Sequence, residues 1–154
     1  MKRYYLAYGS NLYAPQMRLR CPTARLMGTA VIKDYELLFK ESKTGAYLTI
    51  EPKQGAEVPV VVWEVKAEDE RSLDRYEGYP DYYYKKEFQV MVKGIKTGRL
   101  RVRTAFAYVL DESRAIGVPS LKYLRVCLAG YRKFGFNKKN LFDAYYRSRR
   151  EARL

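Results

Sequence analysis

Histidine is absent from the 154 residues of this chain. Its absence removes the commonest general base and the commonest metal ligand together. Ser-His-Asp and Cys-His catalysis are excluded within one chain, so any proton transfer must fall to Glu, Asp, Lys, Tyr or Cys. No carboxylates cluster with the spacing of a metal-binding loop, and no cofactor or metal is expected. Cysteine is scarce: Cys21 and Cys127 stand far apart and without Cys-x-x-Cys spacing, which points to reduced thiols in a cytoplasmic protein. There is no run of about 18 apolar residues, so no transmembrane helix is expected. Met1-Lys2-Arg3 leads directly into a short aromatic stretch, unlike a secretory signal. Internal repeats, low-complexity tracts and Pro/Gly/Ser-rich linkers are also missing, and residues 1–154 read as a single domain.

What is present is a core and an uneven charge. Hydrophobic residues make up 47% of the chain, enough for a globular protein and too many for a disordered one. The net charge is +13. Residues 1–98 carry 16 basic and 13 acidic side chains, whereas residues 99–154 carry 14 basic and 4 acidic. A basic C-terminal third can face nucleic acid or simply solvate the surface. Net charge names no partner, and the solvated surface is the expectation here.

The order of elements suggests an α+β fold. Tyr4 to Tyr8 reads as a first strand. Pro15 then introduces a short helix through Met17-Arg18-Leu19-Arg20. Four strand candidates follow: Ala24 to Ile32 with a bend at Gly28, Tyr35 to Phe39, Ala46 to Ile50 stopping at Pro52, and Val58 to Val65 around Trp63. Ala67 to Glu77 is helical in composition, stopped by Gly78 and Pro80. Tyr82 to Val92 and Leu100 to Leu110 read as the last strands, joined by a turn at 93–98. From about residue 119 the chain becomes basic and helical. Pro119 opens one helix with Leu121, Leu124, Leu128 and Tyr131 at helical spacing and Gly130 near its end. Asn137 caps another, which continues through Leu141, Phe142, Tyr145 and Tyr146.

Two stretches carry candidate chemistry. Gly9-Ser10-Asn11, followed by Leu12, comes directly after the first strand. Gly accepts positive φ, and Ser and Asn favour turns. Successive backbone N–H groups in such a turn can converge on one anionic or carbonyl oxygen; a plain connecting turn is the alternative. The second stretch ends at Glu77. A carboxylate in the last turn of a helix opposes the macrodipole at a cost of roughly 0.3–1 kcal/mol. Asp74 lies three residues before it, and like-charge repulsion is expected to add to the effect. Leu73, four residues before, shares its face and turns it inward. Each effect favours the neutral acid and raises the pKa, which suits a general acid/base near neutral pH. The alternative is a surface Glu paired with Arg71, Arg75 or another cation. Cys127 reads as a buried core thiol.

Three ordered motifs carry a family resemblance. Tyr8-Gly9-Ser10-Asn11-Leu12 after an N-terminal strand, Leu73-Asp74-Arg75-Tyr76-Glu77-Gly78, and Pro119-Ser120-x-x-Tyr123 together resemble the γ-glutamylcyclotransferase-like superfamily, which includes AIG2-like proteins. The resemblance spans about Tyr4 to Phe136. It implies closure of the strands into a small mixed β-barrel with flanking helices. It also implies an enzyme that cleaves a γ-glutamyl amide or peptide by attack of the substrate's own α-amino group, releasing 5-oxoproline and a free amine. In that reading Glu77 is the catalytic acid/base, and Tyr8, Gly9, Ser10, Asn11, Leu12, Tyr84 and Tyr123 bind substrate. By family position Tyr84 is the residue of the Tyr82-Tyr83-Tyr84 run expected to line the pocket. The partner is then a small γ-glutamyl molecule, with nucleic acid and membrane not expected; the leaving amine and the oligomeric state stay open. The competing reading is a catalytically silent basic module of the same fold that binds nucleic acid or another polyanion.

Overall fold

A computed structural model describes residues 2–152. Five strands close into a barrel in the order β1-β3-β2-β4-β5: β1 (Arg3–Ala7), β2 (Arg25–Glu41), β3 (Ala46–Val65), β4 (Tyr83–Gly94) and β5 (Leu100–Leu110). Four helices flank them: α1 (Ala14–Arg20), α2 (Ala67–Glu77), α3 (Leu121–Phe134) and α4 (Lys139–Glu151). A single turn of 3-10 helix, Ser10–Leu12, lies between β1 and α1. The α+β barrel with flanking helices is thus the architecture expected.

The barrel is mixed because of its closing seam. β1 pairs antiparallel with β3, from Arg3 opposite Val65 to Ala7 opposite Val61. On its other edge β1 meets β5 in parallel, with Tyr5 opposite Phe106. Side chains such as Leu6, Ile50, Val60, Val62 and Phe106 are almost wholly removed from solvent, and this apolar burial is the main favourable contribution to the fold.

The strands differ from expectation in one respect. The four candidates between residues 24 and 65 are two long strands, β2 and β3, forming one hairpin with register shifts at Leu26/Gly28 and Lys33/Tyr35. Pro52 does not end β3; it pairs with Tyr35 next to the second shift. An irregular ladder tolerates a residue without N–H, because bulges leave groups unpaired. Asp34, at φ 63°, occupies that bulge, and its Oδ1 accepts from the Gly55 N–H at 2.9 Å. The bend expected at Gly28 is real: a Cβ there would lie 2.1 Å from the Lys93 carbonyl oxygen, so only Gly lets β2 reach β4.

The helices keep close to the expected bounds. Gly78, at φ 68°, ends α2. Ser120 Oγ accepts from the Tyr123 N–H at 3.1 Å to cap α3. Gly130 is not near the end of α3, which continues to Phe134 and stops at Gly135. Gly130 is instead a contact point: a Cβ would lie 2.5 Å from Leu12 Cβ. Close helix-to-turn packing, not termination, requires glycine there. Among the described residues no helix is long and apolar enough to cross a membrane.

Candidate active site

A cavity of about 440 Å³ opens at the end of the barrel where β1 finishes and β4 begins. Its wall is built from the turn after β1, the first residues of β3, the last turn of α2, the start of β4, and Tyr123 of α3. Tyr8, Gly9, Ser10, Asn11, Glu77 and Tyr123 all line it. Leu12 and Tyr84 do not.

Leu12 belongs to the core. Its side chain is fully buried against Gly130, and its N–H is spent on the Gly9 carbonyl at 3.1 Å. Tyr84 is 39% exposed. The inward position is taken by Tyr83, whose hydroxyl donates to the Leu48 carbonyl at 3.2 Å. Neighbouring residues of a strand point to opposite faces, so exchanging Tyr84 for Tyr83 is a one-residue difference in facing.

The turn is held by its side chains. Asn11 Nδ2 donates to the Tyr5 hydroxyl at 3.0 Å, its Oδ1 accepts from Arg20, and its carbonyl accepts from Trp63 Nε1 at 3.1 Å. Ser10 Oγ lies 3.4 Å from the Tyr76 hydroxyl and 3.3 Å from Arg20 Nη1. Asn11 and Ser10 therefore act largely on the protein. Among the described residues the N–H groups of Gly9, Ser10 and Asn11 have no protein acceptor. These are the first amides of a helical turn, the ones left free by geometry.

Gly9 has a different reason to be glycine from the one the sequence suggests. Its φ is −122°, so positive φ is not required. A Cβ would lie 2.9 Å from the Tyr123 hydroxyl oxygen and 3.7 Å from Leu48. That hydroxyl accepts from the Leu48 N–H at 3.2 Å, which fixes it against the turn. Tyr8, also buried, donates across the barrel to the Tyr108 carbonyl at 2.5 Å.

Glu77 is the last residue of α2. It is half-buried, and among the described residues its carboxylate has no hydrogen-bond or ion-pair partner. Neither Arg71 nor Arg75 pairs with it. Burial pushes its pKa up to about 8, against the opposing pull of the Arg20 charge. The expected repulsion from Asp74 is not among the causes. Asp74 is occupied elsewhere, 3.0 Å from Lys85 Nζ and accepting from the Tyr108 hydroxyl at 2.5 Å. The Glu77 charge in turn reaches the tyrosines of the pocket. Burial first and Glu77 second raise the hydroxyl pKa values of Tyr5, Tyr8 and Tyr83. These three phenols therefore stay protonated at neutral pH.

Arg20 gave no signal in the sequence beyond its place in a short helix. In three dimensions it touches Ser10 and Asn11 and lies over the Tyr76 ring. Tyr47, Tyr82 and Tyr108 also line the cavity and were equally silent, because a tyrosine in a strand reads as packing. Cys127 is a fully buried free thiol, with burial raising its pKa to about 12, as expected of a core cysteine.

Comparison with known proteins places this arrangement. The model of a family described as gamma-glutamyl cyclotransferase, AIG2-like, matches residues 5–125. A gamma-glutamylcyclotransferase of Homo sapiens is 30% identical over 138 residues, covering 85% of this chain and 71% of the relative. The Mus musculus protein of the same name matches at the same identity and coverage. A solved structure of a gamma-glutamyl cyclotransferase superimposes with a TM-score of 0.76 at 29% identity, over 88% of this chain and 81% of the other.

Proposed function

The chain belongs to the gamma-glutamyl cyclotransferase, AIG2-like family, and from that premise we propose that it cleaves a small γ-glutamyl amide or peptide by intramolecular aminolysis, with Glu77 as the acid/base. The observation that carries the reading is Glu77 itself: a carboxyl without a protein partner, in a cavity, with a pKa raised to about 8. Such a group both accepts and returns a proton near neutral pH.

The chemistry balances within the substrate. The α-ammonium loses a proton to Glu77, and the amine attacks the γ-carbonyl carbon. A C–N bond closes the five-membered lactam, the original amide C–N bond breaks as Glu77 returns the proton to the departing nitrogen, and the second proton shed by the attacking nitrogen passes through Glu77 to the free amine. The products are 5-oxoproline and a free amine. Since the nucleophile is tethered, the protein needs chiefly to fold the substrate and manage protons. The free amides of Gly9, Ser10 and Asn11 are suited to hold the developing oxyanion or the α-carboxylate. Tyr8 and Tyr123 contribute to the wall against which the substrate is bent, and Tyr83 takes the place expected of Tyr84. We place the reaction in the cytosol, where the two free thiols stay reduced.

The test is incubation with γ-glutamyl amino acids, γ-glutamyl amines and glutathione, with 5-oxoproline read by mass spectrometry. Product is expected from at least one substrate, and none from its N-acetyl derivative, in which the α-amine is masked. Release of free glutamate instead would identify a hydrolase and overturn the mechanism.

A further inference from the structure

The opposite end of the barrel carries a second cavity, of about 470 Å³, that shares no lining residue with the first. β4 begins at the Glu77 pocket with Tyr83 and ends at this second cavity with Gly94. Its rim is cationic: Arg25, Lys96, Arg99, Arg101 and Arg103 line it, and no acidic residue does. Arg25 lies 3.8 Å from Glu64, which also faces Lys2. Among the described residues the other four have no acidic partner within ion-pair distance.

Several features make this a shaped site rather than a diffuse surface charge. Arg101 and Arg103 are two residues apart on β5 and share a face. Val92, opposite Arg101 in the β4–β5 register, is buried and forms part of an apolar floor with Met27 and Val62. The β4–β5 turn, which carries Lys96 and Arg99, is fixed by Gly94 N–H to Arg99 O and Gly98 N–H to Gly94 O, both at 2.9 Å. It is tied across to β2 by Ile95 N–H to Met27 O at 3.1 Å. The Arg103 guanidinium lies 5.5 Å from the centroid of the Tyr4 ring at the cavity edge.

Like charges gathered around one cavity repel, and an anion seated among them relieves that repulsion. Arginine forks match the oxygens of phosphate groups in pairs. The volume falls in the range of small-molecule sites. The apolar floor and the Tyr4 edge give such an anion a place for a flat or apolar body, which bare phosphate lacks. We propose that this cavity binds a small organic polyphosphate of the nucleoside triphosphate type, independently of the reaction at Glu77.

The test is calorimetric titration of the full chain at low salt with ATP, with inorganic tripolyphosphate, and with phosphatidylserine-containing vesicles. ATP is expected to bind more tightly than tripolyphosphate, and the vesicles are expected to give no comparable binding. Arg101→Ala/Arg103→Ala should weaken ATP binding by about tenfold or more, as loss of charge-assisted phosphate contacts does. Lys96→Ala/Arg99→Ala, in the exposed turn, tests the same rim should the first variant prove unstable. Arg149→Ala/Arg150→Ala removes equal charge from α4 and should leave ATP binding unchanged. Absence of ATP binding at about 1 mM, a weak limit for a specific site, would overturn the proposal. So would equal binding of tripolyphosphate, preference for vesicles, or an equal loss in the α4 variant.

Discussion

The guanidinium of Arg20 lies 3.4 Å from the centroid of the Tyr76 ring, in the residue adjacent to Glu77. The same guanidinium donates to Ser10 and Asn11. One side chain therefore joins the turn after β1 to the last turn of α2, the two segments on which the proposed chemistry depends. Its charge also opposes the effect of burial on Glu77.

Removing that charge shifts the titration of Glu77 upward. In Arg20→Gln the carboxyl loses the cation that favours its ionised form. The acid limb of the kcat/KM profile, which reports the base form of the free enzyme, should move to higher pH than in the parent. A limb that moves down or stays in place would separate Arg20 from Glu77.

Glu77→Gln keeps the shape and removes the acid/base group. Turnover should fall by about 10²-fold or more, the lower end for such groups, with the circular dichroism spectrum unchanged. Near-normal turnover on a confirmed substrate would rule out the assignment.

The same residue makes a stability prediction. Between its ordinary pKa of 4.5 and its folded value of about 8, the native state keeps a proton that the unfolded chain has released. The contribution of this group is fully present below 4.5 and is lost as pH rises through 8. Glu77→Gln does not titrate, so in urea unfolding it should gain on the parent as pH rises from 4.5 to 8. A difference that is constant with pH would contradict the burial of Glu77.

Gly9→Ala places a methyl group against the Tyr123 hydroxyl. With 2.9 Å available, the phenol must leave its bond with the Leu48 amide or the turn must shift. Displacements of this size cost up to about 10²-fold in catalysis, and a loss of about tenfold or more in kcat/KM is expected. Parent-like kinetics would make the turn a mere connector.

The tyrosines should separate cleanly. Tyr123→Phe strands the Leu48 N–H and should cost about 1–3 kcal/mol in denaturant unfolding. Tyr84→Phe removes an exposed hydroxyl and should stay within about 0.5 kcal/mol of the parent. Equal losses at both positions would refute the placement of Tyr123 and Tyr84.

The legible parts of the fold and pocket are those written in local chemistry. Gly78 announces the end of α2 by its left-handed conformation, and the acidic residue just before it stands out against the helix dipole. The 3-10 turn follows from three small polar residues after an apolar strand. What escaped reading is set by distant partners. Pro52 suggests a strand end locally, but the bulge that tolerates it is created opposite, at Asp34. Gly9 and Gly130 look like turn and stop signals, yet each is glycine because another element, α3 in the first case and Leu12 in the second, comes too close for a Cβ. Tyr83 and Tyr84 are chemically equivalent in sequence, and only the facing of β4 tells them apart. Asp74 was expected to press on Glu77; its neutralisation by Lys85 depends on β4 lying beside α2.

The seam between β1 and β5 decides when the pocket comes into existence during folding. Tyr5 meets Phe106, and the Tyr8 hydroxyl meets a carbonyl 100 residues away. Loops of that length close late and raise the contact order, which slows folding. The β2–β3 hairpin and α2 are made of contacts local in sequence and do not need the seam, so a state that held them without the seam would have no cavity for a substrate. A chain emerging from the ribosome offers its first strand β3 as a partner before β5 is made, but the seam, and with it the Tyr108 wall of the cavity, waits for β5. In refolding, catalytic activity should therefore return no earlier than the last structural phase.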